Sequence, residues 1–199
     1  KELFSKIPAQ ENPATREYFP VPDNDEPIIS IATDPEATRT QLMVFYKHEP
    51  IPAEIKLSQA GLVLNYIKSA AAAMINERFQ EIVQKPNAPF TSAYAYDGEF
   101  FVAKTKDAWT VTGGSADDKI KDAIAAMIRE TERVKRFGFT ASEYERARTN
   151  ILKRYENTYN NRDKERNSRY SQEYVSSFIN SEPIPGIEYE YNMMNMIAP

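Results

Sequence analysis

The 199-residue chain contains no cysteine and a single histidine, His48. Without a thiol there is no disulfide, no thiolate metal cage and no cysteine nucleophile. One imidazole excludes any metal site that needs two histidine ligands, and a Ser-His-Asp triad would have to use His48. Glycine is scarce, with six residues, and there is one tryptophan. Neither sign of charge dominates: 25 Lys and Arg stand against 29 Asp and Glu, a net charge of −4. No general cationic field exists to hold a phosphate backbone, which argues against nucleic-acid binding. Long apolar runs are also missing. The longest stretch, Gly61 to Ile75, is interrupted by Asn65, Lys68 and Ser69 and is too short and polar to span a bilayer. Lys1 to Ile7 is charged and amphipathic and lacks the apolar core of a secretory signal.

What remains is a globular composition, 41% hydrophobic and 27% charged. Proline is unevenly spread: eight of the 13 fall in residues 1–52 and none lies between Phe90 and Glu182. Pro8, Pro13, Pro20, Pro22 and Pro27 mark an extended, polar connector. Over residues 1–40 eight acidic residues stand against four basic ones, as in a solvated linker. The apolar pattern of Lys1 to Ile7 starts without a cap, as it would inside a helix. An excised or processed piece of a longer protein is therefore expected, with residues 1–17 as the tail of a preceding domain and linker, and 18–199 as one domain.

Within that domain Ile28-Ile29-Ser30-Ile31-Ala32-Thr33 is β-branched and reads as a short strand, with a turn over Asp34 to Thr38. Leu42, Val44 and Tyr46 alternate with polar or outward positions and predict a second strand, stopped by Pro50 and Pro52. From Ala53 to Lys85 the period becomes helical, with Ile67, Ala71, Ile75, Phe79 and Ile82 as a stripe and Ala70 to Ala73 as a small-residue patch. Phe90 to Tyr96 alternates again. Asp97-Gly98 predicts a tight hairpin, Phe100 to Lys104 its return strand, and Trp109 and Val111 a third strand ended by Gly113-Gly114. Ile120, Ile124, Met127, Ile128, Thr131 and Val134 predict the buried face of a helix that stops at Gly138. Thr140-Ala141-Ser142-Glu143 is a capping box opening another helix, with Tyr144, Ala147, Ile151, Leu152 and Tyr155 inward. Helical pattern resumes from about Asp163 to Ile179 and again from Ile187 to Met196. The order β-β-α-β-β-β-α-α-α predicts an α+β domain, an antiparallel sheet with helices packed mainly on one face.

Chemistry-bearing patterns are few. His48-Glu49 has no second histidine to complete H-E-x-x-H or H-x-x-E-H, so it reads as a histidine at a strand end beside Pro50 and not as the start of a metal site. Gly113-Gly114-Ser115 before a helix is an anion cradle or a turn with a cap, and it lacks the rest of a P-loop. Between Arg146 and Tyr170 eight basic residues face three acidic ones, with Tyr155, Tyr159 and Tyr170 interleaved. This is either a surface for an acidic partner or the solvated face of two helices. Tyr94 and Tyr96 on one strand are candidate peptide contacts, by stacking or along a sheet edge, or else core residues. No carboxylate pair has a spacing that marks it as an acid and base. No catalytic residue and no metal ligand set is expected in this chain.

Pro20-Val21-Pro22 through Ile31, Thr40 to Lys47, the long helix and the Tyr94 strand occur in an order that resembles the second, non-catalytic domain of pitrilysin/insulinase-type zinc peptidases, the inverzincins. Gly138-Phe139-Thr140-Ala141-Ser142-Glu143-Tyr144-Glu145-Arg146-Ala147-Arg148 is similar to the family's Gly-x-Thr-x-x-Glu-x-x-x-Ala-Lys/Arg segment. The likeness covers about residues 18–199. It implies a duplicated peptidase-like domain without the zinc motif, zinc being carried by a preceding catalytic domain. It also implies neighbouring domains of a parent chain as partners, and a shared chamber enclosing extended peptide substrates. Tyr94 matches a substrate-binding tyrosine of the family's far half, but Asn87 or Pro86 stands at its arginine position, so no direct catalytic help is implied. The expected function is thus chamber formation and substrate binding within a larger zinc metalloendopeptidase, with this chain alone inactive. An assembly domain of an inactive parent, or a free peptide-binding module, are the rivals. A periplasmic or cell-envelope location is compatible with the absence of cysteine.

Overall fold

A computed structural model of the chain describes residues 5–8, 11–15 and 17–198. Its elements are β1 (Thr40–His48), α1 (Ala53–Lys56), α2 (Gln59–Val83), β2 (Ser92–Glu99), β3 (Asp107–Ser115), α3 (Ile120–Phe137), α4 (Ala141–Asn160), α5 (Asn167–Asn180) and α6 (Ile187–Ile197). The strands form one antiparallel sheet in the order β1-β3-β2. This is the expected α+β class. Of the expected helix tail, residues 1–4 lie outside the described residues, and Ser5 to Ile7 form a turn and bend.

Alternation in the strands separates the two faces of the sheet. Leu42, Ala93, Ala95 and Val111 point to the helices and are buried with Ile75 and Phe79 of α2 and Ala123 and Met127 of α3. The Phe79 and Phe90 rings meet edge to face with centroids 5.9 Å apart. A second core joins Tyr66, Ala70 and Met74 of α2 to Ala147 and Ile151 of α4 and Met194 of α6. Helix α2 therefore serves two cores from two faces. The expected stripe holds at Ile75 and Phe79, but Ile67 is 54% exposed. A step of four residues turns 400°, so the stripe drifts about 40° each time and Tyr66, Ala70 and Met74 take over at the N-terminal end.

Four expected features are corrected. The Ile28–Thr33 segment belongs to no sheet among the described residues and is exposed. Asp97-Gly98 is not a turn: β2 continues through it, pairing Asp97 with Trp109, Gly98 with Ala108 and Glu99 with Asp107. The chain reverses over Phe100 to Lys106 instead, closed by the Phe100 amide donating to the Lys106 carbonyl at 3.0 Å. Phe100 to Lys104 is thus a loop, not a strand. Its local hairpin preference is overridden because the Asp97 carboxylate is held on the helix side of the sheet by His48 and Lys68. Gly113-Gly114 does not end β3, which runs on to Ser115 opposite Thr40. A Cβ on Gly113 would lie 2.6 Å from the Ser92 carbonyl oxygen, so the glycine permits close strand approach.

Helix starts and stops follow the local signals where tertiary contacts agree with them. Gly138 ends α3 at φ +66°, a region open to glycine. The capping box is complete: the Glu143 amide donates to Thr140 Oγ1 at 3.3 Å and the Thr140 amide to Glu143 Oε2 at 2.7 Å. The expected helix over 53–85 is broken at Leu57-Ser58 into α1 and α2.

Candidate functional site

The sheet face away from the helices carries Met43, Phe45, Tyr94 and Tyr96 in facing rows. Met43 and Tyr94 flank Thr112, and Phe45 and Tyr96 flank Thr110. The two threonines are covered by these larger neighbours, at 1% and 2% exposure. Tyr94 and Tyr96 are 53% and 40% exposed and their rings stack with centroids 6.0 Å apart at 25°. They are therefore outward residues and not core. Phe45 continues the aromatic surface toward the 100–106 loop, meeting Phe100 at 5.3 Å and Phe101 at 4.9 Å between centroids. This open, aromatic, half-wet surface suits stacking on apolar side chains while tyrosine hydroxyls stay hydrated.

The edge of β2 is less available than its face. Asn76 of α2 donates to the Ala95 carbonyl at 3.0 Å and accepts from the Ala95 amide at 2.6 Å. One side-chain amide thus occupies the backbone donor and acceptor that a peptide added to β2 would need at its centre. Nothing in the linear sequence marked Asn76, since it sits in a helix and meets β2 only after folding.

Three polar clusters hold the surroundings in place. The Asp97 carboxylate bridges His48 Nε2, at 2.8 Å, and Lys68 Nζ, joining β1, β2 and α2. The other ring nitrogen of His48 lies 2.9 Å from the Glu49 carbonyl oxygen. Lys106, buried at its chain end, pairs with Glu49 and, at 3.1 Å, with Asp23 of the proline-rich connector. These partners, Glu49 first, raise the Lys106 pKa. Thr105 donates to the Phe19 carbonyl at 2.8 Å and Lys47 to that of Pro22, so the connector is tethered across one end of the sheet. Further away, Arg78 forks onto Glu143 at 2.5 and 2.9 Å and donates to the Gly138 carbonyl at 3.1 Å. The Arg78 hydrogen bonds, aided by those from Thr140, hold the Glu143 carboxyl down at about 2.

Three of the eight basic residues of the tract are held in ion pairs. Arg146 meets Glu77 at 3.1 Å, Arg148 meets Glu145 at 3.2 Å, and Arg169 meets Glu165 and Glu173 at 3.1 and 3.3 Å. Arg162 stacks on the Tyr159 ring at 4.3 Å. This is the pattern of a solvated helix face. Among the described residues no group of three or more His, Asp or Glu is placed to hold a metal ion. The chain's donor set does not fit zinc, because its one imidazole is committed to Asp97 and the Glu49 carbonyl. No helix among the described residues is long and apolar enough to cross a membrane.

A model of the Peptidase M16 inactive domain matches residues 1–151. The chain belongs to this family. An Arabidopsis thaliana protein described as zinc protease PQQL-like is 23% identical over 203 residues, covering 100% of this chain and 17% of that protein. The chain therefore spans about one sixth of that relative. The first half of the periplasmic protease PqqL from Escherichia coli superposes with a TM-score of 0.69 at 18% identity, over 81% of this chain and 34% of that one. A predicted insulinase family protease from Yersinia pestis superposes at 0.68 with 9% identity, over 82% and 34%. These solved structures share the fold. The expected resemblance to this family is thereby established.

Proposed function

We propose that this M16 inactive domain serves within a larger zinc-dependent metalloendopeptidase, where it forms part of the wall of a peptide-enclosing chamber. The match of residues 1–151 to the inactive domain carries the reading. Zinc and the groups that activate water belong to a preceding catalytic domain of the parent, and neighbouring domains of that parent are its partners. Tyr94 and Tyr96 contact extended peptide substrate through the open sheet face, which is favoured over the β2 edge because Asn76 occupies Ala95. The likeness to a periplasmic protease favours a cell-envelope location.

Incubating the chain alone with zinc and an unstructured peptide tests the first part. No cleavage is expected, and robust cleavage abolished by a chelator overturns it. In the parent, Tyr94→Ala with Tyr96→Ala is expected to raise KM roughly tenfold with a smaller change in kcat, from the loss of two aromatic contacts of about 0.5–1.5 kcal/mol each. An unchanged KM removes the tyrosines from the peptide path. A parent without H-x-x-E-H would make the domain an assembly element instead.

A further inference from the structure

Among the described residues, three that are not glycine adopt a positive φ: Asn87, Phe101 and Ser181. Asparagine tolerates that region, and Ser181 caps the C-terminal end of α5. Phe101, at φ +55°, is the bulky exception. It holds the first central position of the turn closed by the Ala103 amide donating to the Phe100 carbonyl at 3.0 Å. Val102, at the second, does not share the positive φ. A turn with positive φ at its first central position alone normally has glycine there. Strain of this kind persists only where the surroundings enforce it, and it gathers at binding sites. Here the reversal is pinned by the Phe100 amide on the Lys106 carbonyl, and by Lys104 donating to Glu99 at 2.6 Å and to Asn180 at 2.7 Å.

The enforced geometry lays the Phe101 ring against Phe45 and Phe100, yet the residue stays 64% exposed. Core packing therefore does not explain a phenylalanine where glycine would fit. Phe45 belongs to the outward face with Met43, Tyr94 and Tyr96, so Phe101 extends that aromatic surface beyond the strands. Met43, Phe45, Tyr94, Tyr96, Thr110 and Thr112 carry no charge. Lys47, next outward on β1, lies over the Phe100 ring at 5.9 Å and donates to the Pro22 carbonyl. A charged peptide side chain laid on these residues would lose water without gaining a partner. We propose that Phe101 is a specificity-determining residue for peptide binding, its ring receiving a bulky apolar side chain of an extended substrate away from the bond that is cut. This rests on the reading of the aromatic face as a peptide contact, and it adds the substrate class. Alternate side chains of an extended peptide fall on one side, so the preferred peptide carries uncharged, apolar residues at alternate positions.

The test uses the parent protein and a labelled unstructured peptide, with affinity read by fluorescence anisotropy in the presence of a chelator so that binding is seen without cleavage. Phe101→Gly is expected to weaken binding roughly fivefold, and Phe101→Leu less. Changing one particular apolar residue of the peptide to Ala should weaken the wild type by a similar factor and leave Phe101→Gly indifferent, a coupling that a structural role would not produce. Changing the same peptide residue to Asp or Lys should weaken the wild type further. Phe101→Gly should unfold no earlier than the wild type on heating, since glycine takes the positive φ freely. Unchanged affinity, absence of coupling at every peptide position, equal binding of the charged peptides, or an earlier thermal midpoint each overturns the proposal. A parent that binds and cleaves peptides regardless of Phe101 sinks this inference alone. A parent that binds no unstructured peptide sinks the reading of the aromatic face, and this inference with it.

Discussion

Glu143 performs two tasks with one carboxylate. It closes the capping box of α4 and neutralises Arg78, whose guanidinium also lies 4.9 Å over the Phe139 ring. Both side chains are mostly buried, at 8% and 13% exposure, so removing one strands the other. Glutamine can still serve a capping box, so Glu143→Gln isolates the ion pair. It is expected to cost about 3 kcal/mol in denaturant unfolding at neutral pH. The pH dependence has a definite sign. The folded carboxyl titrates at about 2 against an ordinary 4.5, so its stabilisation is present above 4.5 and is lost as pH falls toward 2. A shift of that size corresponds to at most about 3 kcal/mol, and residual solvent screening brings the expected acid loss nearer 2 kcal/mol. Unfolding curves of Glu143→Gln should lack this part of the acid limb. The Tyr66 and Tyr144 hydroxyls, 2.9 Å apart, form a second buried link between α2 and α4. Burial and this partner push the Tyr66 pKa up. Tyr144→Phe should cost about 1 kcal/mol, read as a shift in the denaturant midpoint.

Strands and helices here show where local signals win and where they yield. The Thr140 to Glu143 cap and the Gly138 stop were legible because each is closed by atoms within three or four residues. The Asp97-Gly98 turn was not, because Lys68 and His48 arrive from distant parts of the chain and hold Asp97 in a strand. Asn76 illustrates the same point for β2. Asn76→Ala would leave the buried-side Ala95 amide and carbonyl without partners, and a loss of about 1–3 kcal/mol is expected together with greater self-association, seen by light scattering. Gly113→Ala would press a methyl against the Ser92 carbonyl and should cost about 1–3 kcal/mol by thermal unfolding.

At the scale of the molecule, the described residues form a three-stranded sheet with one face under α2 and α3 and an aromatic other face on which Tyr94 and Tyr96 are exposed. An open aromatic face is the kind of surface the proposed contact with extended peptide would use, since holding an extended chain needs only surface and backbone geometry. Tyr94 and Tyr96 were nameable from alternation on one strand. Their outward direction was not, because a single strand's alternation does not say which side the helices cover. Composition alone determined that the chain cannot build a thiolate or two-histidine metal site, and ordered motifs were enough to suggest its family. The fate of Ile28 to Thr33, the sealing of β2 and the direction of the aromatic face came from folding, because each depends on which distant backbone or side chain arrives beside it.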